Sequence, residues 1–259
     1  MKNYNVKVLE NKELAKNIYD MLLDCQEAAR QAEAGQFISV YTGNPAMLLP
    51  RPLSICEIDK AKGSFRIVYR IAGEGTETIA GFKSGDTVRI IAPLGNPFEI
   101  SPQHKNFAVV GGGIGVPPLL ELTKKLKKTA PGSSISVYLG FRDKEQVILE
   151  KDFLQYTDKV YITTDDGSYG TAGTVMQNLE TSRGFDTVYA CGPHIMLKNI
   201  SLWADKQNIP CFVSMEERMA CTVGACLACV VKVLENGNVT RKTVCANGPV
   251  FNSKELVWE

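Results

Sequence analysis

The sequence has few histidines, no long apolar run and no excess of either charge. Its 259 residues include two His, and 29 Lys and Arg balance 28 Asp and Glu, which leaves a formal net charge of +1. Nucleic-acid binders usually carry a marked basic excess, so this balance argues against that class. No apolar run approaches the roughly 20 residues that span a bilayer, and the polar N-terminus lacks a secretion signal. We therefore expect a cytoplasmic protein that binds neither nucleic acid nor membrane.

What the sequence does contain is three regions of different pattern. Residues 1–101 alternate short apolar runs with turn residues, which predicts an antiparallel β-barrel or sandwich. Residues 102–210 alternate strand and helix patterns, which is typical of a parallel α/β sheet. Residues 211–259 lose this alternation and hold five of the eight cysteines, four of which lie between residues 221 and 245. We predict three domains with these bounds: a barrel, an α/β nucleotide-binding domain and a small C-terminal domain.

One segment of the first region fits two patterns. Its apolar residues recur at a helical period but suit a strand equally well; they are Ile18, Met21, Leu22 and Cys25. The pattern alone does not choose between helix and strand.

The C-terminal cysteines have the spacing of an iron–sulfur site. Cys221, Cys226 and Cys229 form C-x4-C-x2-C, and Cys245 follows after fifteen residues. Plant-type [2Fe–2S] ferredoxins use this spacing, with two thiolates for each iron. A structural zinc site also takes four cysteines, but it usually pairs two short knuckles. The spacing therefore predicts a [2Fe–2S] cluster, with zinc as the alternative.

Two glycine-bearing turns in the second region indicate a nucleotide site. The first follows the predicted strand Phe107–Val110 and opens a helix, an arrangement that places backbone N–H groups against phosphate. The second ends a later strand of the same unit, and ligands of open α/β sheets lie beyond such strand ends. The alternatives are tight strand–helix packing for the glycines and a buried core thiol for the cysteine. The candidate residues are Gly111, Gly112, Gly113, Gly115, Cys191, Gly192 and Pro193.

Taken together, these motifs resemble a known group of proteins. Arg51-Pro-Leu-Ser54, the first glycine turn and Cys191-Gly-Pro193 are similar to motifs of the ferredoxin–NADP reductase superfamily. The segments 214–221 and 244–251 more narrowly resemble the electron-transfer subunits of type B dihydroorotate dehydrogenases. The resemblance implies a flavin-binding antiparallel barrel and a nicotinamide-nucleotide domain. It also implies FAD, NAD and a [2Fe–2S] cluster as cofactors, and it makes residues 17–24 a barrel strand.

The resemblance also implies roles for individual residues. Arg51 would pair with the flavin pyrophosphate, since Arg gives bidentate phosphate contacts, and Ser54 would approach the reactive N5 of the flavin. Gly75 and Thr76 would hold phosphate through backbone and hydroxyl donors. Ser54 and Cys191 are the catalytic candidates. The other residues implied at the flavin are Pro52, Leu53, Val68, Tyr69 and Arg70.

No set of residues indicates a separate site for an organic substrate. The resemblance therefore implies a relay subunit whose partner is an FMN-containing dihydroorotate dehydrogenase catalytic subunit, together forming a heterotetramer. One alternative is the small subunit of an NADH-dependent ferredoxin–NADP oxidoreductase. The alternative from another class is a zinc-stabilised nucleotide-binding module without electron flow.

Overall fold

Six antiparallel strands close into a barrel in the N-terminal part of the computed structural model, which describes residues 1–258. The strands pair in the order β1-β2-β5-β4-β3-β6, and two short helices flank them. In chain order the elements are β1 (Lys2–Ala15), β2 (Ile18–Asp24), α1 (Gln26–Gln31), β3 (Phe37–Val40), β4 (Arg51–Asp59), β5 (Ser64–Arg70), α2 (Glu74–Ala80) and β6 (Thr87–Leu94). The predicted barrel is confirmed.

The ambiguous segment is strand β2, as the resemblance implied. Met21 and Leu23 face the barrel core and are fully buried. Ile18 and Asp20 face the other way and are buried as well, because Ile18 packs against the second domain and Asp20 pairs with Arg66. A strand covered on both faces loses the alternation that identifies strands in sequence.

A sheet of seven strands follows the barrel. Its order is β10-β9-β8-β7-β11-β12-β15, and all pairs are parallel except β12 with β15. The elements are β7 (Asn106–Gly112), α3 (Pro118–Thr129), β8 (Ser134–Phe141), α4 (Glu150–Phe153), β9 (Val160–Thr164), β10 (Thr171–Ala172), α5 (Met176–Leu179), β11 (Thr187–Cys191), α6 (His194–Lys206), β12 (Cys211–Ser214) and β15 (Val250–Asn252). The predicted parallel sheet is confirmed. No helix among residues 1–258 is long and apolar enough to cross a membrane.

The remaining C-terminal segment consists of the cysteine-rich loop, a hairpin and one helical turn. The hairpin joins β13 (Val230–Glu235) and β14 (Asn238–Thr243), and α7 (Val244–Asn247) follows at once. Strands β12 and β15, both beyond Pro210, extend the central sheet, although the sequence pattern there predicted no regular element. The domain bounds at 101 and 210 stay predictions.

A charged network joins the barrel to the central sheet. The Arg66 guanidinium donates to both oxygens of Asp20 at 2.8–3.0 Å and to Asp152 of α4 at 2.5 Å. The Glu121 carboxylate on α3 accepts from the Ile58 N–H of β4 at 2.8 Å. Burial raises the pKa of Glu121, while the Ile58 N–H and the nearby ammonium of Lys124 favour its charged form. These contacts hold the barrel against helices α3 and α4, which pack beside the central sheet.

Candidate functional site

The four predicted ligand cysteines lie in one place, held by a loop with unusual backbone angles. Thr222, Gly224 and Leu227 have φ values of +63°, +84° and +55°. Only glycine adopts this region readily, so the loop holds two strained non-glycine residues where it curls around the sulfurs. The small side chains between the cysteines allow that curl.

Backbone N–H groups point at the sulfurs of this loop. The N–H of Gly224 donates to Cys245 Sγ at 3.2 Å, that of Cys226 to Cys221 Sγ at 3.3 Å, and that of Cys245 to Cys229 Sγ at 3.4 Å. Such bonds stabilise thiolates and set the potential of an iron–sulfur centre. Partial burial opposes ionisation of Cys221, but N–H groups of Val223 and Cys226 outweigh it and lower its pKa to about 6.

Two of the four sulfurs are buried, and burial opposes their ionisation. Burial raises the pKa of Cys245 to about 12, and its neighbour Cys229 adds to the effect. A bound metal reverses this, because it holds coordinating thiols deprotonated. Within residues 1–258, no three His, Cys, Asp or Glu side chains converge as they would around one ion. A two-iron cluster divides four thiolates between two metals, so the donor set and its wider spacing fit that group.

The cysteine site has a buried side and an exposed side. Cys229 and Cys245 are buried, with 1% and 3% of their surface accessible, whereas Cys226 is exposed. The buried pair belongs to the same apolar core as Phe37 and Leu94 of the barrel. Beside Cys226, the Leu227 side chain is 66% exposed. One side of the site therefore faces the barrel and the other faces outward.

Five residues fasten the cysteine site to the barrel, and we call this contact the clasp: Gly95, Asn96, Asn247, Gly248 and Pro249. The Asn96 N–H donates to the Gly248 carbonyl at 2.6 Å, and the Asn96 side-chain amide donates to the Asn247 carbonyl at 2.8 Å. A Cβ on Gly95 would lie 2.5 Å from Pro249 Cδ, so only glycine permits this approach. The clasp connects the end of β6 to the residues just after Cys245.

The predicted pyrophosphate residues come together at the start of α2. Gly75 lies under the Arg51 guanidinium, since a Cβ there would fall 2.0 Å from Arg51 Nε. Arg51 also donates to the Leu49 carbonyl at 2.5 Å, and no carboxylate in the described part of the chain pairs with it. The Thr76 hydroxyl accepts from the Ala72 N–H and donates to the Gly73 carbonyl. An unpaired guanidinium beside a helical first turn fits a diphosphate.

The other predicted flavin residues lie on the neighbouring strands β4 and β5. Ser54 is half-buried and pairs with Phe37 of β3. Tyr69 points into the barrel, where its hydroxyl donates to Asn11 at 3.2 Å, and burial raises its pKa. Val68 faces the second domain instead, and Arg70 is exposed. Pro52 and Leu53, like Ser54, are half-buried.

The two glycine turns of the nucleotide site touch each other. A Cβ on Gly115 would fall 2.6 Å from the Cys191 carbonyl and from Gly192 Cα. A Cβ on Gly112 would lie 2.6 Å from Met196 Sδ and 3.0 Å from Pro193 Cδ. Gly111 pairs with Cys191 across β7 and β11, and Gly113 follows in a short 3-10 turn. The absence of side chains at Gly112 and Gly115 is what lets the two strand ends meet.

The nucleotide turns also meet the flavin strands. Val68 of β5 belongs to the same apolar core as Val116, and Cys191 packs against that core. Strand β5 contacts the 3-10 turn that holds Gly113 and Gly115. Burial raises the pKa of the Cys191 thiol to about 12, with Ser214 opposing and Glu216 adding to the shift. Cys191 is therefore a neutral thiol at the junction of the two domains.

Sequence reasoning missed the clasp. Its signals were two turn sequences, Leu94-Gly-Asn-Pro97 and Asn247-Gly-Pro249, both of which mark tight turns. Neither turn predicts what it contacts, because the two lie about 150 residues apart in the chain.

Comparisons with known proteins agree with this geometry. The barrel, the sheet and the C-terminal cysteine site define a reductase of the ferredoxin–NADP reductase type with an added iron–sulfur region. Residues 216–257 match the family model described as the iron–sulfur cluster binding domain of dihydroorotate dehydrogenase B. The chain belongs to the family of dihydroorotate dehydrogenase B (NAD(+)) electron transfer subunits, and the family predicted from the motifs is confirmed.

Two of the relatives with that name align with this chain over nearly their whole length. One from Desulforamulus reducens is 40% identical over 262 residues, covering 100% of this chain and 99% of its own. One from Streptococcus pneumoniae is 41% identical over 257 residues, covering 97% and 100%.

Solved structures share the fold. The NADH-dependent reduced ferredoxin-NADP oxidoreductase has a TM-score of 0.86 and 32% identity, covering 98% of this chain and 90% of that one. Phthalate dioxygenase reductase has a TM-score of 0.65 at 20% identity, covering 94% and 77%, and shows the fold alone.

Proposed function

We propose that this chain is the electron transfer subunit of an NAD-linked dihydroorotate dehydrogenase, acting in pyrimidine biosynthesis. It carries electrons between a catalytic partner and NAD with the help of FAD and a [2Fe–2S] cluster. The observation that carries the proposal is the two-sided cysteine site, buried against the barrel at Cys245 and exposed at Cys226. The names of the relatives at about 40% identity support the substrate class.

Each cofactor has residues suited to hold it. Arg51, Gly75 and the first turn of α2 would take the flavin diphosphate, with Ser54 toward the flavin ring. The touching turns at Gly115 and Cys191 would take the nucleotide and exclude water from its reactive end. When bound, FAD supplies chemistry that accepts electrons in pairs from a nicotinamide and passes them singly to a cluster. The neutral Cys191 thiol and the Ser54 hydroxyl would orient the two rings.

The partner is an FMN-containing catalytic subunit, with which this chain forms a heterotetramer in the cytoplasm. The loop from Ala220 to Cys229, which is exposed at residues 225–228, is the part that would face it. Leu227 and Val223, 66% and 37% exposed, offer apolar surface there. Exposed apolar side chains beside a redox site are typical of an interaction surface.

Purification of the full chain with its cofactors tests the division of labour. We expect NADH-dependent reduction of a dye by the chain alone, without oxidation of dihydroorotate. Addition of the catalytic subunit should produce dihydroorotate-dependent NAD reduction. Substantial dihydroorotate oxidation by the lone chain would contradict the proposal.

The likeness to the ferredoxin–NADP oxidoreductase structure supports a second candidate. That protein shares the architecture, with a TM-score of 0.86 over 98% of the chain. Its name gives ferredoxin and NADP, rather than dihydroorotate, as the reactants. Affinity capture of the full chain from its source cells separates the two candidates. Recovery of a dihydroorotate-oxidising subunit supports the first, and recovery of a ferredoxin-dependent large subunit supports the second.

A further inference from the structure

The clasp joins the cysteine site directly to the barrel that carries the predicted flavin residues, whereas the central sheet does not. Strand β15 attaches the C-terminal segment to the central sheet, which carries the nucleotide turns. The clasp instead attaches the C-terminal segment to the end of β6, which is a strand of the barrel that carries the flavin residues. The position of the cysteine site relative to the flavin therefore depends on this contact.

On the cysteine side, the clasp is continuous with a ligand. Asn247 lies two residues after Cys245 in the single turn of α7. Its side-chain oxygen accepts from both the N–H and the hydroxyl of Thr243 at 3.1 Å, which closes that turn. Its carbonyl is the group that accepts from Asn96. Movement of Asn96 would therefore be passed on to Cys245.

On the flavin side, hydrogen bonds lead from the clasp to the strand that holds Ser54. The Gly95 carbonyl accepts from the Gln36 side-chain amide at 2.7 Å, and the Gln36 carbonyl accepts from the Ile55 N–H at 3.1 Å. A Cβ on Gly95 would also lie 2.9 Å from Phe37 Cε1, and Phe37 pairs with Ser54. Phe37 thus contacts the clasp through its ring and pairs with the Ser54 strand through its backbone.

We infer that the clasp is a positioning contact that sets the rate of electron transfer between the flavin and the cluster. The inference rests on the proposed function. The Asn96 side-chain amide donates to Asn247 and takes no part in the hydrogen bonds that lead from Gly95 to the Ser54 strand, so its removal should leave hydride transfer from NADH unchanged. Electron transfer between two redox centres slows as the distance between them increases, so a shift of the cysteine site away from the barrel would slow this step.

Stopped-flow reduction of the full chain, loaded with FAD and cluster, tests the inference. After mixing with NADH under anaerobic conditions, flavin bleaching and cluster reduction are followed as separate phases. For Asn96→Ala we expect unchanged flavin bleaching and NADH–dye activity, with cluster reduction slowed severalfold relative to the parent chain. Gly95→Ala, which forces a Cβ against Pro249, should slow it further. Asn96→Gln, which restores an amide donor, should recover part of the rate.

A second readout does not depend on activity. Hydrogen–deuterium exchange of residues 244–250 should be faster in Asn96→Ala than in the parent chain, while iron content stays the same. The matched control is Asn238→Ala, since the Asn238 amide donates within its own hairpin to Asn236. This control should leave both exchange and kinetics unchanged.

The outcomes separate the two claims. If the parent chain shows no cluster reduction by NADH, the proposed function fails. If the parent reduces its cluster and Asn96→Ala matches it in rate and exchange, the inference alone is overturned. Loss of iron from Asn96→Ala also overturns the inference, because the clasp would then be needed to retain the cluster. Equal slowing of flavin and cluster reduction overturns it as well, because the clasp would then support the fold as a whole.

Discussion

Gly115 lies so close to Cys191 that a Cβ on Gly115 would fall 2.6 Å from the carbonyl carbon and oxygen of Cys191. Backbone atoms cannot rotate away as a side chain can, so any larger residue must separate the two turns. The proposed nucleotide crevice depends on this contact between β7 and β11.

Gly115→Ala should therefore weaken use of NADH and spare the other cofactors. We expect kcat/KM for NADH–dye reduction to fall about tenfold or more, because the turn must shift. Flavin and cluster absorbance should be unchanged. Gly132→Asn is the matched control: Gly132 lies in open space just before β8, at the amino end of that strand, and Asn tolerates its φ of +79°. Equal activity of Gly115→Ala and the parent chain would contradict the assignment.

The Cys191 thiol should stay protonated across the working pH range. Burial raises its pKa from 9.0 to about 12, and a raised pKa means that the neutral form persists until pH approaches that value. The rate of flavin reduction by NADH should therefore show no Cys191 titration between about pH 7 and pH 10. Stopped-flow measurements on the parent and on Cys191→Ala check this. A break near pH 8–9 that disappears in Cys191→Ala would show an ionising thiol.

Cys245→Ser should remove the cluster and leave the flavin. The substitution removes one of the four thiolate ligands. We therefore expect the iron content to fall from about two per chain to a small fraction of that value. NADH–dye reduction should persist, because Arg51 and Ser54 lie on the barrel. Cys25→Ala, a buried cysteine of the barrel, should keep its iron. Metal analysis and visible spectra give the answer, and full iron in Cys245→Ser would refute the ligand set.

Arg66→Met should destabilise the junction of the two domains. It removes the partner of Asp20 and Asp152, and the Arg66 side chain is only 17% exposed. Breaking a buried pair costs about 3 kcal/mol or more of unfolding free energy, since a carboxylate is left uncompensated. Lys62→Met, at a pair where the Lys62 side chain is 82% exposed, should have no measurable effect. Urea denaturation compares them, and equal stability of Arg66→Met and the parent would contradict the network's role.

Local patterns predicted much of this architecture. The C-x4-C-x2-C spacing identified the cysteine site because iron–sulfur chemistry fixes which residues must be close. The glycine turn after β7 was predictable because glycines end a buried strand there, while its contact with a phosphate stays a prediction. Strand β2 was ambiguous because Ile18 and Asp20 are buried by partners outside the strand, and no local period records them.

The clasp could not be predicted from the sequence. Asn96 and Asn247 come from distant turns, and their meeting depends on how the barrel, sheet and hairpin pack. The same holds for β15, a three-residue strand whose pairing with β12 is set by the position of the C-terminal segment. Such short elements carry too few residues for a pattern, and tertiary contacts decide their structure.

The central claim is that four thiolates hold a two-iron cluster that exchanges electrons with NAD through the flavin of this same chain, so that NADH can reduce the cluster by the reverse reaction. EPR of the anaerobically purified full chain after addition of NADH tests it most directly, with iron and sulfide measured on the same sample. We expect about two irons and two sulfides per chain and a reduced [2Fe–2S] signal that Cys245→Ser lacks. A colourless protein containing zinc, or a cluster that NADH leaves oxidised while dithionite reduces it, would contradict the account.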